Sequence, residues 1–133
     1  MSQIRKVLII DDDEISNFIC KNTILKNGFS NEVKTVLSAN EGLEYLKGSG
    51  EIPDLVLLDI NMPVLNGWDF LEEYKKIRES LEELPVVVMF SSSVHEADIE
   101  KARKDQDVQD YIIKPMTTDT LENIFNKHFS MKE

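Results

Sequence analysis

The sequence lacks the residues that several classes of protein site require. It contains one cysteine, Cys20, and two histidines, and these three residues do not have the spacing of zinc ligands. A lone cysteine forms no disulfide within the chain, which is typical of a reducing compartment. The longest aliphatic run, Val86–Phe90, is far shorter than the ~18 residues of a membrane span. We therefore expect a soluble, cytoplasmic protein.

Basic residues are also scarce. The chain has 15 lysines and arginines against 25 aspartates and glutamates, so its formal net charge is −10. A nucleic-acid-binding protein needs a basic face for the phosphate backbone, and an anionic membrane surface attracts basic clusters. The charge balance therefore predicts no nucleic-acid partner and no membrane partner.

The apolar residues suffice for one hydrophobic core. The chain has 133 residues, of which 41% are hydrophobic, and this length is close to that of one average domain. No linker rich in proline and glycine divides the sequence. We expect a single domain over residues 1–133, with a core that extends from about residue 4 to residue 129.

Short apolar runs alternate with segments of helical spacing. The runs predict strands at Val7–Ile10, Val33–Leu37, Leu55–Leu58, Val86–Phe90 and Tyr111–Ile113. The first helical segment carries an apolar stripe that ends at Gly28, and its members are Ile15, Phe18, Ile19 and Leu25. Strict strand–helix alternation predicts an α/β fold, a doubly wound three-layer sandwich with a five-stranded parallel sheet.

Side chains that could carry chemistry stand at the ends of four predicted strands. They are Asp11, Asp12 and Asp13 after the first run, Asp59 after the third, Ser91 after the fourth and Lys114 after the fifth. In doubly wound sheets, ligands bind at the carboxyl ends of the strands. Clustered carboxylates beside one lysine require a cation, and such oxygen ligands suit Mg²⁺. An aspartate held by Mg²⁺ and a lysine is a suitable nucleophile towards a phosphoryl group.

Each of these residues also has an ordinary structural interpretation. An aspartate or serine after a strand commonly caps the next helix, and a Lys-Pro pair commonly forms a turn. Taken together at the ends of neighbouring strands, the same residues favour a functional site.

The motifs at these strand ends resemble those of one family. They are VLIIDD at Val7–Asp12, LVLLDINMP at Leu55–Pro63 with Gly67 after it, MFSS at Met89–Ser92 and YIIKP at Tyr111–Pro115. Together they resemble a response-regulator receiver domain of the CheY type, the phospho-accepting module of two-component signal transduction. The resemblance covers essentially the whole chain. It implies a flavodoxin-like (βα)5 fold and a stand-alone receiver.

The resemblance implies a role for each matching residue near the acidic motifs. Asp59 would accept the phosphoryl group. Asp12 would bind Mg²⁺ directly, Asp11 would bind it through water, and Asn61 would offer its backbone carbonyl to the metal.

The later motifs carry the remaining implied roles. Ser91 would be the hydroxyl that moves to the phosphoryl group, and Tyr111 would be the aromatic side chain that changes rotamer on activation. Lys114 would pair with the phosphoryl oxygens or with Asp59. The resemblance further implies that the Lys114–Pro115 peptide bond is cis.

The same resemblance sets expectations for partners. A sensor histidine kinase or a histidine phosphotransfer protein would supply the phosphoryl group. A downstream protein would bind the surface formed by the helix at Val94–Lys104, the strand at Tyr111–Ile113 and the helix at Thr118–Phe129. The chain would not be an enzyme beyond the Mg²⁺-dependent autophosphorylation and autodephosphorylation of Asp59.

The sequence departs from the family pattern in three places. The acidic run is a triplet, so the acidic pair is either Asp11 with Asp12, which we prefer, or Asp12 with Asp13. The run from Pro85 to Ser91 is one residue longer than usual, which a bulge or a shifted strand start could absorb. The loop at 105–110 lacks the glycine that usually precedes the last strand.

A haloacid-dehalogenase-like, Mg²⁺-dependent phosphohydrolase is the alternative function. That family resembles this chain in having an aspartate after its first strand, followed in order by a hydroxyl residue and a lysine. Two features count against it, because Ile15 stands where a threonine or valine is usual and no acidic pair follows Lys114. A receiver that binds its partners without phosphorylation is a third hypothesis, and the full set of site residues speaks against it.

Overall fold

The computed structural model describes residues 4–48 and 52–129. The remainder of the predicted domain, at residues 1–3, 49–51 and 130–133, lies outside the described residues. The elements in chain order are β1 (Val7–Ile10), α1 (Glu14–Lys26), β2 (Val33–Val36), α2 (Ala39–Gly48), β3 (Leu55–Leu58), α3 (Gly67–Ile77), β4 (Val86–Ser91), α4 (Glu96–Lys104), β5 (Asp110–Ile113) and α5 (Thr118–His128). A single 3-10 turn, Arg78–Ser80, extends α3.

The five strands form one parallel sheet in the order β2-β1-β3-β4-β5. β1 and β3 are neighbours at its centre, and every residue of both strands is buried. Parallel strands that are covered on both faces have continuous apolar sequences, and for this reason the predicted strands agree closely with the observed ones. The predicted doubly wound α/β fold is confirmed.

Two apolar clusters cover the two faces of the sheet. On one face, α2, α3 and α4 contribute Leu43, Phe70 and Ala102 among others. On the other face, α1 and α5 contribute residues such as Ile24 and Leu121. Ala102 is the only fully buried residue of α4, so this helix is the least embedded of the five. Within the described residues, every helix is too short or too polar for a bilayer span.

The apolar stripe predicted for α1 does not face the core. Ile15 is 72% exposed and Phe18 is 65% exposed, and Ile19 is also exposed. The buried residues of α1 are instead Asn17, Cys20 and Ile24. The Asp13 cap at the start of the helix and the hydrogen bond from Asn17 to the Asp11 carbonyl are consistent with this orientation, in which Asn17 faces inward. The stripe is therefore an exposed apolar surface next to the end of β1.

The glycine at the end of α1 has the predicted function. Gly28 follows the C-cap residue Asn27 and has a φ of +74°, a left-handed conformation that glycine adopts without steric cost. The next backbone N–H, that of Phe29, donates to the carbonyl oxygen of Ile24 at 3.2 Å. The chain is thereby turned from α1 towards β2.

The structure accounts for two of the departures from the family pattern, the longer run before Ser91 and the loop at 105–110 without glycine. β4 pairs without a bulge from Val86 to Ser91, so the additional residue lengthens the strand. The 105–110 loop contains no residue with positive φ. Lys75 lies 3.1 Å from Asp105 and 3.2 Å from Asp107, and Arg78 forms a further ion pair with Asp107. These contacts hold the glycine-free loop against the end of α3.

The start of α4 differs from the prediction. The helix begins at Glu96 rather than at Val94, and its N-cap residue is His95, whose side chain makes no capping hydrogen bond. The Ser93 hydroxyl donates to Asp98 Oδ2 at 2.6 Å and accepts the N–H of His95 at 3.3 Å. Ser93 therefore closes the turn before α4, although the N-cap residue is His95.

Candidate functional site

The three aspartates after β1 have different structural roles. Asp11 is 1% exposed, its N–H donates to the carbonyl of Val36 at 3.2 Å, and its Oδ1 accepts the N–H of Asp13 at 2.9 Å. Asp13 is the N-cap of α1, and its carboxylate accepts the N–H groups of Ile15 and Ser16. Because Asp13 is used as a cap, the acidic pair directed to the site is Asp11 with Asp12.

Asp59 meets this pair at the end of β3. Its N–H donates to the carbonyl of Ile10 at 2.9 Å, which fixes the end of β3 to the end of β1. Carboxylate oxygens of Asp11, Asp12 and Asp59 all lie within 4.8 Å of one another. Asp12 is exposed, whereas Asp59 is only 6% exposed. The predicted convergence of the three carboxylates is confirmed, and they form a group that could hold one metal ion.

The loop after Asp59 returns to it through Gly67. The N–H of Gly67 donates to the carbonyl of Ile60 at 2.8 Å, and Asn66 and Asp69 form a reciprocal capping box at the start of α3. Within this loop, Val64 has a φ of 68° and is 90% exposed. A β-branched residue in the left-handed region is strained, so this loop holds its shape against a local cost.

Lys114 provides the positive charge of the site. Its ammonium group forms an ion pair with Asp11 and lies 3.7 Å from Asp59 Oδ1. It also lies over the ring of Phe90, 5.5 Å from the ring centroid. The backbone N–H of Lys114 donates to the carbonyl of Ser91 at 2.9 Å, and the Lys114–Pro115 bond is cis as predicted. The resemblance implied a contact with Asp59, and the contact with Asp11 is an addition to it.

The pKa of Asp59 is raised in the folded protein. Burial raises the pKa of Asp59 to about 6, and the negative charge of Asp11 contributes to the increase. The ammonium of Lys114 acts in the opposite direction. Three carboxylates beside one ammonium leave an excess of negative charge that a divalent cation would neutralise.

The hydroxyl groups near β4 and β5 form a second layer. Ser91 is fully buried at the end of β4, and its hydroxyl oxygen accepts the N–H of Ser93 at 3.1 Å. The hydroxyl of Tyr111, which is half-buried on β5, donates to the carbonyl of Ser93 at 2.9 Å. Ser93 is therefore held from both sides, by Ser91 and by Tyr111.

The sequence analysis named Asn61 as a site residue, but it did not identify Asn17. Asn61 is exposed two residues after Asp59, and its role towards a metal stays a prediction. Asn17 was missed, although its Nδ2 donates to the backbone carbonyl of Asp11 at 2.9 Å in a buried position. An asparagine within a helical segment gives no sequence signal of such a contact.

Comparisons with known proteins agree with this geometry. The sequence model of the response regulator receiver domain matches residues 7–126. Chemotaxis protein CheY-3 of Vibrio cholerae is 37% identical over 128 residues, which cover 93% of this chain and 91% of that protein.

Solved structures give the same result. A two-component response regulator from Cytophaga hutchinsonii has a TM-score of 0.84 and 34% identity, with 94% of this chain and 96% of that chain covered. A response regulator receiver protein from Dyadobacter fermentans has a TM-score of 0.85 and 29% identity, with 96% and 99% covered. The similarity extends over nearly the full length of all the chains compared.

Proposed function

The chain belongs to the response regulator receiver family, and we propose that it is phosphorylated on Asp59 by a sensor histidine kinase or a histidine phosphotransfer protein. The observation that carries this proposal is the meeting of Asp59 with Asp11, Asp12 and Lys114 at the carboxyl ends of β1, β3 and β5 of one parallel sheet. Receiver domains are signalling proteins rather than ordinary enzymes. The comparisons give no support to a haloacid-dehalogenase-like hydrolase.

The proposed reaction is a transfer between two side chains. A carboxylate oxygen of Asp59 attacks the phosphorus atom of a phosphohistidine, the new O–P bond forms, and the N–P bond breaks. The electron pair of the N–P bond stays on the histidine nitrogen, which takes up a proton from water, so the histidine leaves as a neutral imidazole. The ammonium of Lys114 is 3.7 Å from Asp59 Oδ1, so it can move the short distance to the phosphoryl oxygens. Later attack of water on the same phosphorus releases phosphate and restores the carboxylate.

The donor set fits Mg²⁺. Hard oxygen ligands from one or two carboxylates, completed by water and phosphate, are typical of this ion. Asp12 and Asp59 would bind it directly, Asp11 would bind it through water, and Asn61 would add its backbone carbonyl. When bound, Mg²⁺ supplies positive charge that offsets the negative charge of the entering phosphoryl group.

The phosphodonor is expected to dock on the exposed apolar surface of α1. Helix α1 begins two residues after Asp12, and Ile15 and Phe18 project from its first turns into solvent. An exposed apolar patch beside a reactive carboxylate is suited to a protein partner that presents a phosphorylated side chain to that carboxylate. Phe18→Ala should therefore slow transfer from the phosphorylated partner while leaving phosphorylation by acetyl phosphate unchanged.

The output is expected on the other side of the site. When Ser91 turns towards a phosphoryl group on Asp59, its bond to the N–H of Ser93 is lost, and the Ser93 carbonyl is the acceptor of Tyr111. Tyr111 can then change rotamer and alter the surface of α4, β5 and α5, where a downstream protein would bind. Phosphorylation would shift an equilibrium that already exists.

This switch is tested by NMR with beryllium fluoride, a mimic of the acyl phosphate. Amide shifts should change around Tyr111 and along α4, as well as around Asp59. In the Ser91→Ala variant the changes around Asp59 should remain and those along α4 should weaken. Changes confined to the loop after Asp59 in the unmodified protein would refute the proposed output surface.

The phosphorylation site is tested by mass spectrometry. Incubation with acetyl phosphate and Mg²⁺ should add one labile phosphoryl group, and Asp59→Asn should abolish it. Borohydride converts an aspartyl phosphate to homoserine, so peptide mapping identifies the modified residue directly. Homoserine at position 59 supports a receiver, whereas homoserine at position 11 would support the hydrolase.

The site chemistry and the lone cysteine also lead us to propose a cytoplasmic location.

A further inference from the structure

Asn17 is a buried amide that is only half satisfied. The residue is 4% exposed, and its Nδ2 donates to the backbone carbonyl of Asp11 at 2.9 Å. Its Oδ1 is buried without a hydrogen-bond partner among the described residues. An unsatisfied buried acceptor lowers stability, so an apolar side chain of the same size would suit the core at this position. Packing alone therefore does not explain why an asparagine occupies this buried position.

The position of its one hydrogen bond gives that explanation. The carbonyl oxygen of Asp11 belongs to the peptide plane that also contains the N–H of Asp12. Asn17 holds this plane from the side of α1, while the N–H of Asp11 is held by Val36. Among the described residues, none hydrogen-bonds the exposed carboxylate of Asp12. The backbone therefore determines where that carboxylate stands relative to Asp59.

We propose that Asn17 is a positioning residue for the cation site, which orients the Asp11–Asp12 peptide so that Asp12 faces Asp59. This proposal rests on the proposed function, because it concerns the affinity of the same acidic group for Mg²⁺. Groups that orient a ligand without touching the metal typically change metal affinity by about 10- to 100-fold when they are removed. Asn17 acts one step further away, through a backbone plane, so we expect the lower end of that range.

The test separates positioning from packing in one measurement. Thermal unfolding without Mg²⁺ reports stability, and the increase in Tm with added MgCl2 reports affinity for the ion. In Asn17→Leu the affinity should fall about tenfold. The Tm without Mg²⁺ should change little, because the lost bond and the removal of the unsatisfied Oδ1 offset one another. Asn17→Ala provides a second variant if the leucine does not fit.

Cys20 offers a matched control. It is buried on the same face of α1, one turn after Asn17, and it belongs to the apolar cluster rather than to the acidic site. Cys20→Ala should lower the Tm without Mg²⁺ and leave the Mg²⁺ affinity unchanged. Equal losses of affinity in the Asn17 and Cys20 variants would show that both act through the stability of α1, which would overturn the proposal.

Two further outcomes are distinguishable. If the Asn17 variants bind Mg²⁺ as tightly as the unmodified protein does, positioning by Asn17 is refuted and the proposed function stands. If the unmodified protein itself shows no saturable Mg²⁺ effect and no phosphorylation by acetyl phosphate, the proposed function fails, and the positioning role fails with it.

Discussion

A Cβ atom placed on Gly67 would lie 2.5 Å from the backbone carbonyl oxygen of Asp59. It would also lie 3.0 Å from the Cα atom of Ile60. Both neighbours are backbone atoms of the segment that carries Asp59, so neither can move aside as a side chain would. The first residue of α3 therefore approaches the end of β3 at a distance that only glycine permits.

Gly67→Ala should consequently destabilise the protein and displace Asp59. Overpacking of a closely packed site typically costs about 1–3 kcal/mol, and we expect a loss in this range from urea unfolding. Phosphorylation by acetyl phosphate should slow as well. Gly48→Ala is the control, because a Cβ atom there meets nothing within 4 Å and alanine favours the helix. Equal stability of the two variants would contradict the close approach.

Stability without Mg²⁺ should depend on pH through Asp59. The pKa of this carboxyl is 3.8 in the unfolded chain and about 6 in the folded protein, so the folded state holds the proton more tightly. Stability from this group is present below pH 4 and is lost as the pH rises through about 6. Asp59→Asn should therefore be the more stable protein at pH 8, by about 1 kcal/mol or more.

The pH dependence of that difference is the informative measurement. The difference in the free energy of unfolding between Asp59→Asn and the unmodified protein should disappear as the pH approaches 4. Saturating Mg²⁺ should reduce or reverse it at pH 8, because the ion stabilises only the protein that retains the carboxylate. Glu122→Gln removes an exposed negative charge from α5 and controls for net charge. A constant gap at all pH values would count against burial as its cause.

Val64→Asn should stabilise the protein. Val64 has a φ of 68°, and asparagine tolerates this left-handed conformation far better than a β-branched residue does. Because the side chain is 90% exposed, the replacement loses almost no packing. We expect a gain of about 1 kcal/mol in urea unfolding, the lower end of the usual cost of such strain. A loss of stability would mean that the valine side chain has a favourable contact that outweighs the backbone strain.

Cys20 should resist thiol reagents in the folded protein. The residue is 1% exposed, and burial raises the pKa of its thiol to about 12, so very little thiolate exists at pH 8. Modification by iodoacetamide should be slow in buffer and fast in denaturing urea. Rapid modification in buffer would show that α1 opens locally.

The strands and the acidic site could be predicted because their signals are local. A continuous apolar run identifies a buried parallel strand, and the residue after it lies at the edge where ligands bind. The orientation of α1 could not be predicted in this way. Its strongest apolar stripe contains Ile15 and Phe18, whereas its buried face contains Asn17, which hydrogen-bonds Asp11 in the loop before the helix, and an apolar count does not register such a bond.

The glycine-free loop before β5 shows the same limit. Its shape depends on Lys75 and Arg78, which lie about 30 residues earlier in the chain, and no local pattern connects those residues with Asp105 or Asp107. Likewise, the lysine at the site was expected to pair with Asp59 or with a phosphoryl group, and its contact with Asp11 depends on how three strand ends meet.

The shallow burial of α4 has a consequence for hydrogen exchange. With Ala102 as its only fully buried residue, this helix can open without exposing much of the core, so its amides should exchange through local opening. The amides of β1 and β3, which are buried throughout, should exchange only when the whole protein unfolds. We therefore expect a rigid sheet beneath the acidic site, and next to it one helix that opens at a lower free energy than the sheet does.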